Sequence, residues 1–387
     1  MRLLHTSDWH LGRSLHGVDL LDHQAAYLDH LVDVVRAEQV DAVVVAGDVY
    51  DRAIPPVEAV TLLSDTLGRL AEHTTVVVTS GNHDSATRLG FGSALMRDRV
   101  RLRTRVAGLA EPVVLPDGDG DVLVYGIPYL DPDFARVELA DGPGPLSRSH
   151  EAVTAAAMRR IRADIEARPG SVRPRSVVAA HAFVIGGAPT DSERDIRVGG
   201  VDQVPAGVFA GADYVALGHL HGPQKVTGVD GSVLRYSGSP LAYSFSEQHH
   251  AKSTVLVDLS GGQVRTSLVA APVPRRLADV TGTLEDLLGA AGEAHTDAWT
   301  RVTVTDTHRP EDLYRRVKQR FPHALVVHHR AAHAEGASRA SVITAAHDPL
   351  DVTADFLTHI TGHGPTAAEA AVLRRAYEDV AAAERSA

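Results

Sequence analysis

The sequence predicts an α/β protein with more than one domain, and three observations carry this prediction. The first two-thirds of the chain alternates short β-branched runs with helical patterns, which is typical of sheets covered by helices. The chain has 387 residues and is therefore longer than a single domain of average size. A proline-containing segment at 270–276 then separates this part from a second, shorter alternation of strands and helices.

The first part of the chain contains eight predicted strands and three predicted helices. The predicted strands are Arg2–Thr6, Ala42–Ala46, Thr75–Thr79, Val122–Tyr125, Val177–Ala180, Tyr214–Leu217, Val233–Tyr236 and Ser253–Asp258. The predicted helices are His23–Glu38, Pro56–Glu72 and Ser149–Ala167. Acidic Asp22 precedes the first helix and a Pro-Pro pair marks the start of the second, both of which are helix-start signals.

The second part of the chain repeats the alternation on a smaller scale. Its predicted strands and helices are, in order, Leu277–Thr281, Leu284–Ala290, Thr300–Thr305, Pro310–Arg320 and Leu325–His329. Residues 331–348 predict a loop, and helices near Val352–Thr361 and Ala367–Arg385 end the chain. We therefore expect three regions, 1–270, 275–348 and 349–387.

The composition excludes several kinds of site. The chain has no cysteine, so a disulfide scaffold, a zinc finger, an iron–sulfur cluster and a cysteine nucleophile are excluded. The net charge of −11, from 38 basic and 49 acidic residues, counts against a free-standing nucleic-acid binder. The 22 histidines supply the commonest metal ligand in proteins.

Targeting and membrane signals are missing from the sequence. The chain reaches Asp8 without an apolar segment of signal-peptide length. No run approaches the roughly 18 apolar residues of a membrane span. We therefore expect a cytoplasmic protein without a membrane partner, associated with the nucleoid when it is bound to DNA.

Five of the predicted strands run directly into polar residues that can bind metal ions. In open α/β sheets, ligands bind in the crevice outside the carboxyl ends of the strands. We therefore expect these side chains to surround one spot. They are Asp8, His10, Asp48, Asn82, His83, His181, His219 and His221.

These residue types suit divalent cations. Carboxylate, amide and imidazole ligands without sulfur favour Mn²⁺, Mg²⁺, Fe²⁺ or Zn²⁺. So many ligands are more than one ion binds and suit two ions, which at about 3.5–4 Å apart can bind one phosphate and activate water. Each motif alone could be a solvated pair or a turn. Five in order, each after a predicted strand, favour a metal site.

These ordered motifs resemble the calcineurin-like metallophosphoesterase family. The resemblance rests on Asp8-x-His10, Gly47-Asp48, Gly81-Asn82-His83-Asp84, His181 and Gly218-His219-x-His221. The opening His5–Gly12 and the segment Tyr236–Phe245 are similar, more narrowly, to the nuclease subunits of bacterial SbcCD complexes, relatives of the Mre-type nucleases. The resemblance covers essentially the whole chain and is most specific up to about residue 260.

The resemblance implies a fold and a role for each site residue. The fold would be a two-sheet α/β sandwich with a smaller α+β capping domain and C-terminal helices. One metal ion, most simply Mn²⁺, would be held by Asp8, His10 and His221, the other by Asn82, His181 and His219, with Asp48 bridging both. His83 would contact the phosphate and assist the leaving group, Asp84 would orient His83, and Asp51 is a further candidate near them.

The resemblance also implies an activity and partners. We expect a Mn²⁺-dependent 3′–5′ exonuclease on double-stranded DNA and an endonuclease on single strands and hairpins. The partner would be an SbcC-type SMC-like ATPase, which fits the lack of a phosphate-binding Gly-x-x-x-x-Gly-Lys-Ser/Thr loop in this chain. The C-terminal helices would dock on that partner or simply pack. Helix Pro56–Glu72 would form a homodimer within a heterotetramer, or would pack in the core.

Two basic clusters are candidates for DNA contact. Five arginines occupy alternate positions from 97 to 105, which on a strand would place them on one face as a track for phosphates. These are Arg97, Arg99, Arg101, Arg103 and Arg105. A second cluster on a predicted helix contains Arg315, Arg316, Lys318 and Arg320. Both clusters have the alternative explanation of a solvated face.

Other functions within and beyond this superfamily are alternatives. A protein phosphatase or small phosphodiesterase shares the metal ligands, but such phosphatases carry arginine and glutamate where Ser80 and Asp84 flank Gly-Asn-His here. A non-catalytic DNA-tethering scaffold is the alternative from another class, and the complete ligand set argues against it. The pairs His249-His250 and His328-His329 receive no functional assignment.

Overall fold

A computed structural model describes residues 1–96, 99–170, 173–193, 203–331 and 348–386. These residues form two compact units, 1–331 and 332–387. Most of the predicted loop at 331–348, and Arg97 of the first basic cluster, lie outside the described residues. Within the described ranges, no helix has the length and apolar character needed to cross a membrane.

The described residues contain nineteen strands and ten α-helices. The strands are β1 Arg2–Thr6, β2 Ser14–Leu15, β3 Val18–Asp19, β4 Ala42–Ala46, β5 Thr75–Thr79, β6 Val100–Arg103, β7 Val113–Leu115, β8 Val122–Ile127, β9 Arg175–His181, β10 Phe183–Val184, β11 Gln203–Val204, β12 Tyr214–Gly218, β13 Gln224–Val226, β14 Val233–Tyr236, β15 Ser253–Ser260, β16 Gln263–Ala270, β17 Leu277–Gly282, β18 Trp299–Val304 and β19 Ala324–His329. The helices are α1 Leu21–Ala37, α2 Val57–Ala71, α3 Ala86–Leu89, α4 Pro132–Glu138, α5 His150–Ala167, α6 Leu284–Leu288, α7 Ala290–Glu293, α8 Leu313–Arg320, α9 Pro349–Thr361 and α10 Ala367–Ser386.

Two six-stranded sheets form the body of the first unit. The first sheet has the order β16-β15-β1-β4-β5-β6, and the second has the order β13-β14-β12-β9-β8-β7. The central strands of both sheets run parallel. Antiparallel strands lie at both edges of the second sheet and at the β15–β16 edge of the first, whereas the edge strand β6 pairs parallel with β5. Parallel central strands bury both faces, and their almost uninterrupted apolar sequences reflect this.

Alternate residues of the strands face two different apolar layers. In β4, Val44 packs between the two sheets, whereas Val43 and Val45 pack against α1 and α2 on the outside. Helix α5 covers the outer face of the second sheet, for example through Ile161. The result is a two-sheet sandwich with helices on both faces, as a sheet buried on both sides requires. The predicted fold class is confirmed.

A three-stranded parallel sheet follows the sandwich in the chain. Its order is β17-β18-β19, and α6, α7 and α8 accompany it around an apolar core of its own. Strand β16 continues to Ala270, so the connection to this sheet is shorter than the predicted linker. The helix predicted at 284–290 is two short helices interrupted at Gly289, and α8 begins only at Leu313.

The three-stranded sheet contacts the sandwich through one apolar cluster. Leu277 of β17 is buried with Leu15, Tyr243 and Phe245, and Trp299 packs at the edge of this cluster. The side-chain oxygen of Gln248 also accepts a hydrogen bond from the backbone of Asp279 at 2.9 Å.

The second unit contains α9 and α10. Asp348 caps α9 by accepting a hydrogen bond from the Leu350 N–H at 2.8 Å. Thr366 and Glu369 form a reciprocal capping box at the start of α10. Both helices leave large apolar side chains exposed, namely Phe356, Ile360, Val372, Tyr377 and Val380.

Candidate metal centre

The carboxyl ends of five strands from both sheets meet at one place. Strands β1, β4 and β5 come from the first sheet, and β9 and β12 come from the second. Hydrogen bonds join the two sheets there. His181 Nδ1 donates to the Ala46 carbonyl at 3.0 Å, and the backbone N–H of His219 donates to the Asp8 carboxylate at 3.0 Å. The eight predicted site residues therefore lie around a single point.

Asp8, His10 and His221 form the first group of donors. The Nε2 atoms of His10 and His221 lie 3.1 Å apart, and the three side chains can reach a common ion. All three are buried. Ser7 donates a short hydrogen bond to Asp8, which holds the carboxylate in place.

Asn82, His181 and His219 form the second group. The Asn82 side-chain oxygen lies 2.9 Å from His181 Nε2 and 3.3 Å from His219 Nδ1. Asn82 extends from the loop after β5, while the histidines end β9 and follow β12. Three different strands therefore position this group.

Asp48 lies between the two groups. Its Oδ2 atom is 3.7 Å from His10 Nε2, 3.4 Å from His181 Nε2 and 4.0 Å from His83 Nε2. Its other oxygen accepts the backbone N–H of His83 at 2.9 Å. One carboxylate oxygen thus faces both groups, as a bridging ligand must.

The donor set fits divalent cations. Because His181 Nδ1 donates to a backbone carbonyl, its Nε2 atom faces an oxygen acceptor on Asn82. At 2.9 Å, these two atoms need either a proton on His181 Nε2 or a cation that both of them bind. Nδ1 of His10 has no hydrogen-bond partner although it is buried. Paired imidazoles and oxygens of this kind, without sulfur, suit Mn²⁺, Fe²⁺ or Zn²⁺.

The charges of the site favour bound cations. Burial lowers the pKa of His181, but Asp48 and Asp8 outweigh burial and raise it to about 9. Burial raises the pKa of Asp8 to about 6, with nearby histidine charges opposing it. Burial lowers the pKa of His219 well below the ordinary value. In the metal-free protein, a proton on His181 therefore supplies part of the positive charge that metal ions would bring.

The backbone at the donors is strained. Eight non-glycine residues among those described have positive φ, and four of them are Asp8 (54°), His10 (46°), Asp48 (48°) and His219 (109°). Such conformations cost about 1–3 kcal/mol each and persist where the surroundings hold them. Strain concentrated at four predicted ligands indicates that the fold positions these side chains for function.

Close approach of the strand ends requires glycine at two positions. Gly47 has φ +84°, and a Cβ atom there would collide with the imidazole of His181. A Cβ atom on Gly218 would collide with the carbonyl of Ala46. These glycines let the two sheets come together directly beneath the donor groups.

His83 lies beside the metal-donor groups, and one of its ring nitrogens is occupied by a hydrogen bond. Its Nδ1 donates to the backbone carbonyl of Asp51 at 2.8 Å. Its Nε2 is therefore the nitrogen that faces Asp48. The ring also contacts the His10 imidazole edge-on, with 4.7 Å between centroids. Because Nδ1 is occupied, His83 can exchange a proton with a ligand only through Nε2.

The Asp84 carboxylate contacts backbone groups, and its role in orienting His83 stays a prediction. It accepts backbone hydrogen bonds from Val49 at 3.1 Å, Tyr50 at 2.9 Å and Gly81 at 2.9 Å. Burial and a neighbouring carboxylate raise the pKa of Asp84 to about 7. Asp84 thus ties the loops after β4 and β5 together.

The first basic cluster is only partly described. Arg99 donates hydrogen bonds to the backbone carbonyls of Ala71 and Glu72, and Arg101 donates to the carbonyl of Met96. Arg103 is half-buried, and this burial lowers its pKa. Arg105 is exposed, and Arg97 lies outside the described residues.

The second basic cluster lies on α8. Arg315 pairs with Asp312 at 2.5 Å, and Lys318 donates to the carbonyl of Ala324 at 2.6 Å. Arg316 is exposed. DNA contact by either cluster stays a prediction.

Sequence reasoning missed a buried polar network behind His221. Ser192 and Glu247 lie next to His221 Nδ1, and Lys252 forms a buried ion pair with Glu247. Burial opposes charge on Glu247, but His221 and Lys252 outweigh it and hold its pKa below the usual range. The one available signal was Lys252 itself, since the chain has only three lysines.

Sequence reasoning also missed Arg13. Its guanidinium lies over the ring of Tyr243 at 4.9 Å, and its Nη1 is 3.6 Å from the Asp51 carboxylate. The Tyr243 ring in turn contacts the imidazoles of His10 and His221. Arg13 therefore places a fixed positive charge at the edge of the donor groups.

Comparison with known proteins identifies the family. Residues 1–223, more than half of the chain, match the calcineurin-like phosphoesterases. The chain belongs to the calcineurin-like phosphoesterase family. It is also 41% identical over 276 residues to SbcD of the nuclease SbcCD from Bacillus subtilis (strain 168), a match that covers 69% of this chain and 68% of that relative. Residues 273–361 match the Type 5 capsule protein repressor C-terminal domain. The resemblance predicted from the motifs is confirmed, including its narrower form.

Two solved structures are more distant. A protein of Thermus thermophilus shares 15% identity and covers 69% of this chain and 98% of its own, with a TM-score of 0.37. GAP50, the anchor in the inner membrane complex of Plasmodium, shares 11% identity and covers 70% of this chain and 84% of its own, with a TM-score of 0.42.

Proposed function

We propose that this chain is a Mn²⁺-dependent DNA phosphodiesterase that acts with an SbcC-type ATPase in DNA end processing and repair. Its family membership makes it a metal-dependent nuclease. The finer activities that we propose are 3′–5′ exonuclease action on duplex ends and endonuclease action on single strands and hairpins, carried out in the cytoplasm.

The observation that carries this proposal is the pair of donor groups on either side of Asp48. In our assignment, Asp8, His10 and His221 hold one ion, and Asn82, His181 and His219 hold the other. The chemistry that two divalent ions supply when bound is activation of water and neutralisation of phosphate charge. The side-chain nitrogen and oxygen atoms that face each other at 2.9 Å and 3.1 Å support this assignment, since one ion can bind both members of each pair.

His83 and Arg13 contribute chemistry of their own. His83 Nε2 can give a proton to the leaving oxygen of a scissile phosphodiester, while the Asp51 carbonyl keeps the ring oriented. Arg13 can neutralise phosphate charge near the donor groups, since its guanidinium is fixed by the Tyr243 ring.

An exposed apolar patch near α2 supports the homodimer that we propose. Val57 is 75% exposed and Ile54 is 68% exposed, while Phe91 and Leu95 beyond α3 are 85% and 84% exposed. A hydrogen bond from Arg88 to the Ala53 carbonyl brings the two segments side by side. Contiguous apolar surface of this kind marks interaction sites.

We propose roles for the remaining regions on the same basis. Residues 275–348 are the capping domain that limits DNA access, and residues 349–387 dock on the ATPase. The exposed apolar side chains of α9 and α10, such as Phe356 and Val372, support the docking role. Apolar helix faces are a common way to bind a partner helix.

A substrate comparison tests the proposed function. The purified chain is assayed with Mn²⁺ on linear duplex DNA, hairpin DNA and a phosphopeptide, with and without the ATPase partner. We expect cleavage of both DNA substrates, no phosphopeptide hydrolysis, and reversible loss of activity on chelation.

Two variants complete that assay. Asp48→Asn removes the bridging charge and should abolish cleavage. Asp164→Asn is the control, because Asp164 pairs with Tyr125 and Arg168 away from the donor groups. Unchanged cleavage by Asp48→Asn would refute the site. Phosphopeptide hydrolysis without DNA cleavage would instead favour the phosphatase alternative, and DNA binding without cleavage would favour a tether.

A further inference from the structure

A buried chain of hydrogen-bonded polar groups lies behind His221. Ser192 Oγ lies 2.7 Å from His221 Nδ1 and also donates a short hydrogen bond to Glu247 Oε1. Glu247 Oε2 forms an ion pair with Lys252. The side chains of Glu247 and Lys252 are 0% and 1% exposed.

The direction of these hydrogen bonds fixes the protonation of His221. The Tyr243 N–H donates to Glu247 Oε1 at 3.1 Å, and the lysine ammonium can only donate, so both carboxylate oxygens are acceptors. Ser192 uses its one proton on Glu247. It therefore offers His221 only a lone pair, and His221 Nδ1 must carry the proton. Nε2 is then the bare nitrogen that faces His10.

The buried ion pair is costly as a purely structural feature. Removing two charges from water costs several kcal/mol per ion, and well-packed apolar residues of similar volume often serve stability as well or better. Lys252 also donates to the carbonyl of His221 at 3.0 Å and to Ser239 at 2.9 Å, so it contacts both the loop that carries His221 and the loop after β14. The network is built around His221.

We propose that Lys252, Glu247 and Ser192 are positioning residues that hold His221 in the tautomer required for binding the first metal ion. This inference rests on the proposed metal site and adds to it residues that do not touch the ion. Hydrogen-bonded partners behind a histidine ligand typically affect metal affinity by about 10- to 100-fold.

Glu247→Gln gives a sharp expectation, because Lys252 donates to one oxygen of this side chain and Tyr243 to the other, and a glutamine has only one oxygen. The charged lysine forms the stronger hydrogen bond and takes the amide oxygen, so the amide NH₂ faces Ser192 and donates to it, while the Tyr243 N–H loses its acceptor. Ser192 then turns its proton towards His221 Nδ1, and His221 must carry its own proton on Nε2. The variant therefore reverses the direction of each hydrogen bond from residue 247 through Ser192 to His221.

Two readouts test this expectation. Nitrogen-15 NMR of the metal-free protein, with His221 assigned through His221→Ala, should show Nδ1–H in the wild type and Nε2–H in Glu247→Gln. Mn²⁺ titration followed by electron paramagnetic resonance should show two ions in the wild type. His221→Ala identifies the first metal site as the one at which this variant no longer binds an ion. In Glu247→Gln, the Mn²⁺ dissociation constant of that site should rise about 10- to 100-fold.

A rescue variant separates positioning from packing. In Glu247→Gln/Lys252→Met the lysine no longer dictates the amide orientation, so Gln can accept from Ser192 again. His221 should return to Nδ1–H, and the Mn²⁺ affinity should recover. Ser192→Ala, which changes no charge, is the second test should the single Gln variant not fold. It should weaken the same site about 10-fold. Asp164→Asn should change neither readout.

Several results would overturn the inference. It fails if the metal-free wild type carries the His221 proton on Nε2, or if Ser192→Ala and Glu247→Gln both bind Mn²⁺ as the wild type does. It also fails if the rescue variant keeps the full loss. A wild type that binds fewer than two ions would refute the proposed metal site instead, and the NMR tautomer would still decide the role of Glu247.

Discussion

His83→Gln separates the chemistry of the site from its metal binding. Glutamine keeps the approximate size of the side chain and can still donate to the Asp51 carbonyl, but it cannot transfer a proton near neutral pH. His83 reaches the site through Nε2 alone, because Nδ1 donates at 2.8 Å to that carbonyl. The substitution therefore removes one proton donor and leaves the seven proposed ligands in place.

The expected size of the effect follows from this single role. Proton transfer by a positioned side chain contributes about 10²- to 10⁴-fold to a rate. At about 1.4 kcal/mol for each factor of ten, this corresponds to roughly 3–6 kcal/mol of activation free energy. The cleavage rate on linear duplex should fall by this factor, whereas Mn²⁺ stoichiometry and affinity should stay as in the wild type.

The competing assignment is that His83 is itself a ligand. His10, Asp48 and His83 also lie close enough together to hold one ion. Single-turnover cleavage and Mn²⁺ titration of the same preparation decide between the two. Loss of one ion in His83→Gln, or a rate within about threefold of the wild type, would refute the role of His83 as a proton donor.

Three further predictions concern stability and assembly. Burial lowers the pKa of His5 to about 3. Between about pH 6.5 and this value the unfolded chain binds a proton at His5 and the folded protein does not, so the free energy of unfolding decreases as the pH is lowered. In urea unfolding of the metal-free protein, the free energy of unfolding should decrease by about 2 kcal/mol through His5 when the pH is lowered from 7.5 to 5. The decrease should be correspondingly smaller in His5→Gln, and equal decreases in the two proteins would contradict this. Gly47→Ala should lower stability by about 1–3 kcal/mol and weaken Mn²⁺ binding, because the new methyl collides with His181; an unchanged melting temperature would refute the close-approach argument. We expect the wild type to be the proposed dimer in light scattering, and Val57→Glu combined with Phe91→Glu should make it a monomer without loss of melting temperature; a dimer that persists in the variant would contradict the proposed interface.

Much of the fold follows from local sequence. All eight predicted strands of the sandwich are present, because β-branched runs such as Ala42–Ala46 carry their preference within a few residues. The elements missed or misplaced depend on their partners. Strand β7 covers only Val113–Leu115 and exists because it pairs with β8. The break at Gly289 likewise depends on how α6 and α7 pack.

The candidate site divides in the same way. The eight strand-end residues could be predicted to meet, because parallel strands deliver their carboxyl ends to one edge. The partner of His83 could not be predicted, since a backbone carbonyl carries no sequence signal. The contact between Ser192 and Glu247 spans 55 residues, so no local pattern points to it. Networks of this kind are visible only once the chain is folded.

The most direct test of the two-metal assignment is anomalous diffraction from crystals of this protein loaded with Mn²⁺. The assignment predicts two anomalous peaks on either side of the Asp48 carboxylate. One should contact Asp8, His10 and His221, and the other Asn82, His181 and His219. A single peak, or peaks that do not share Asp48, would contradict it.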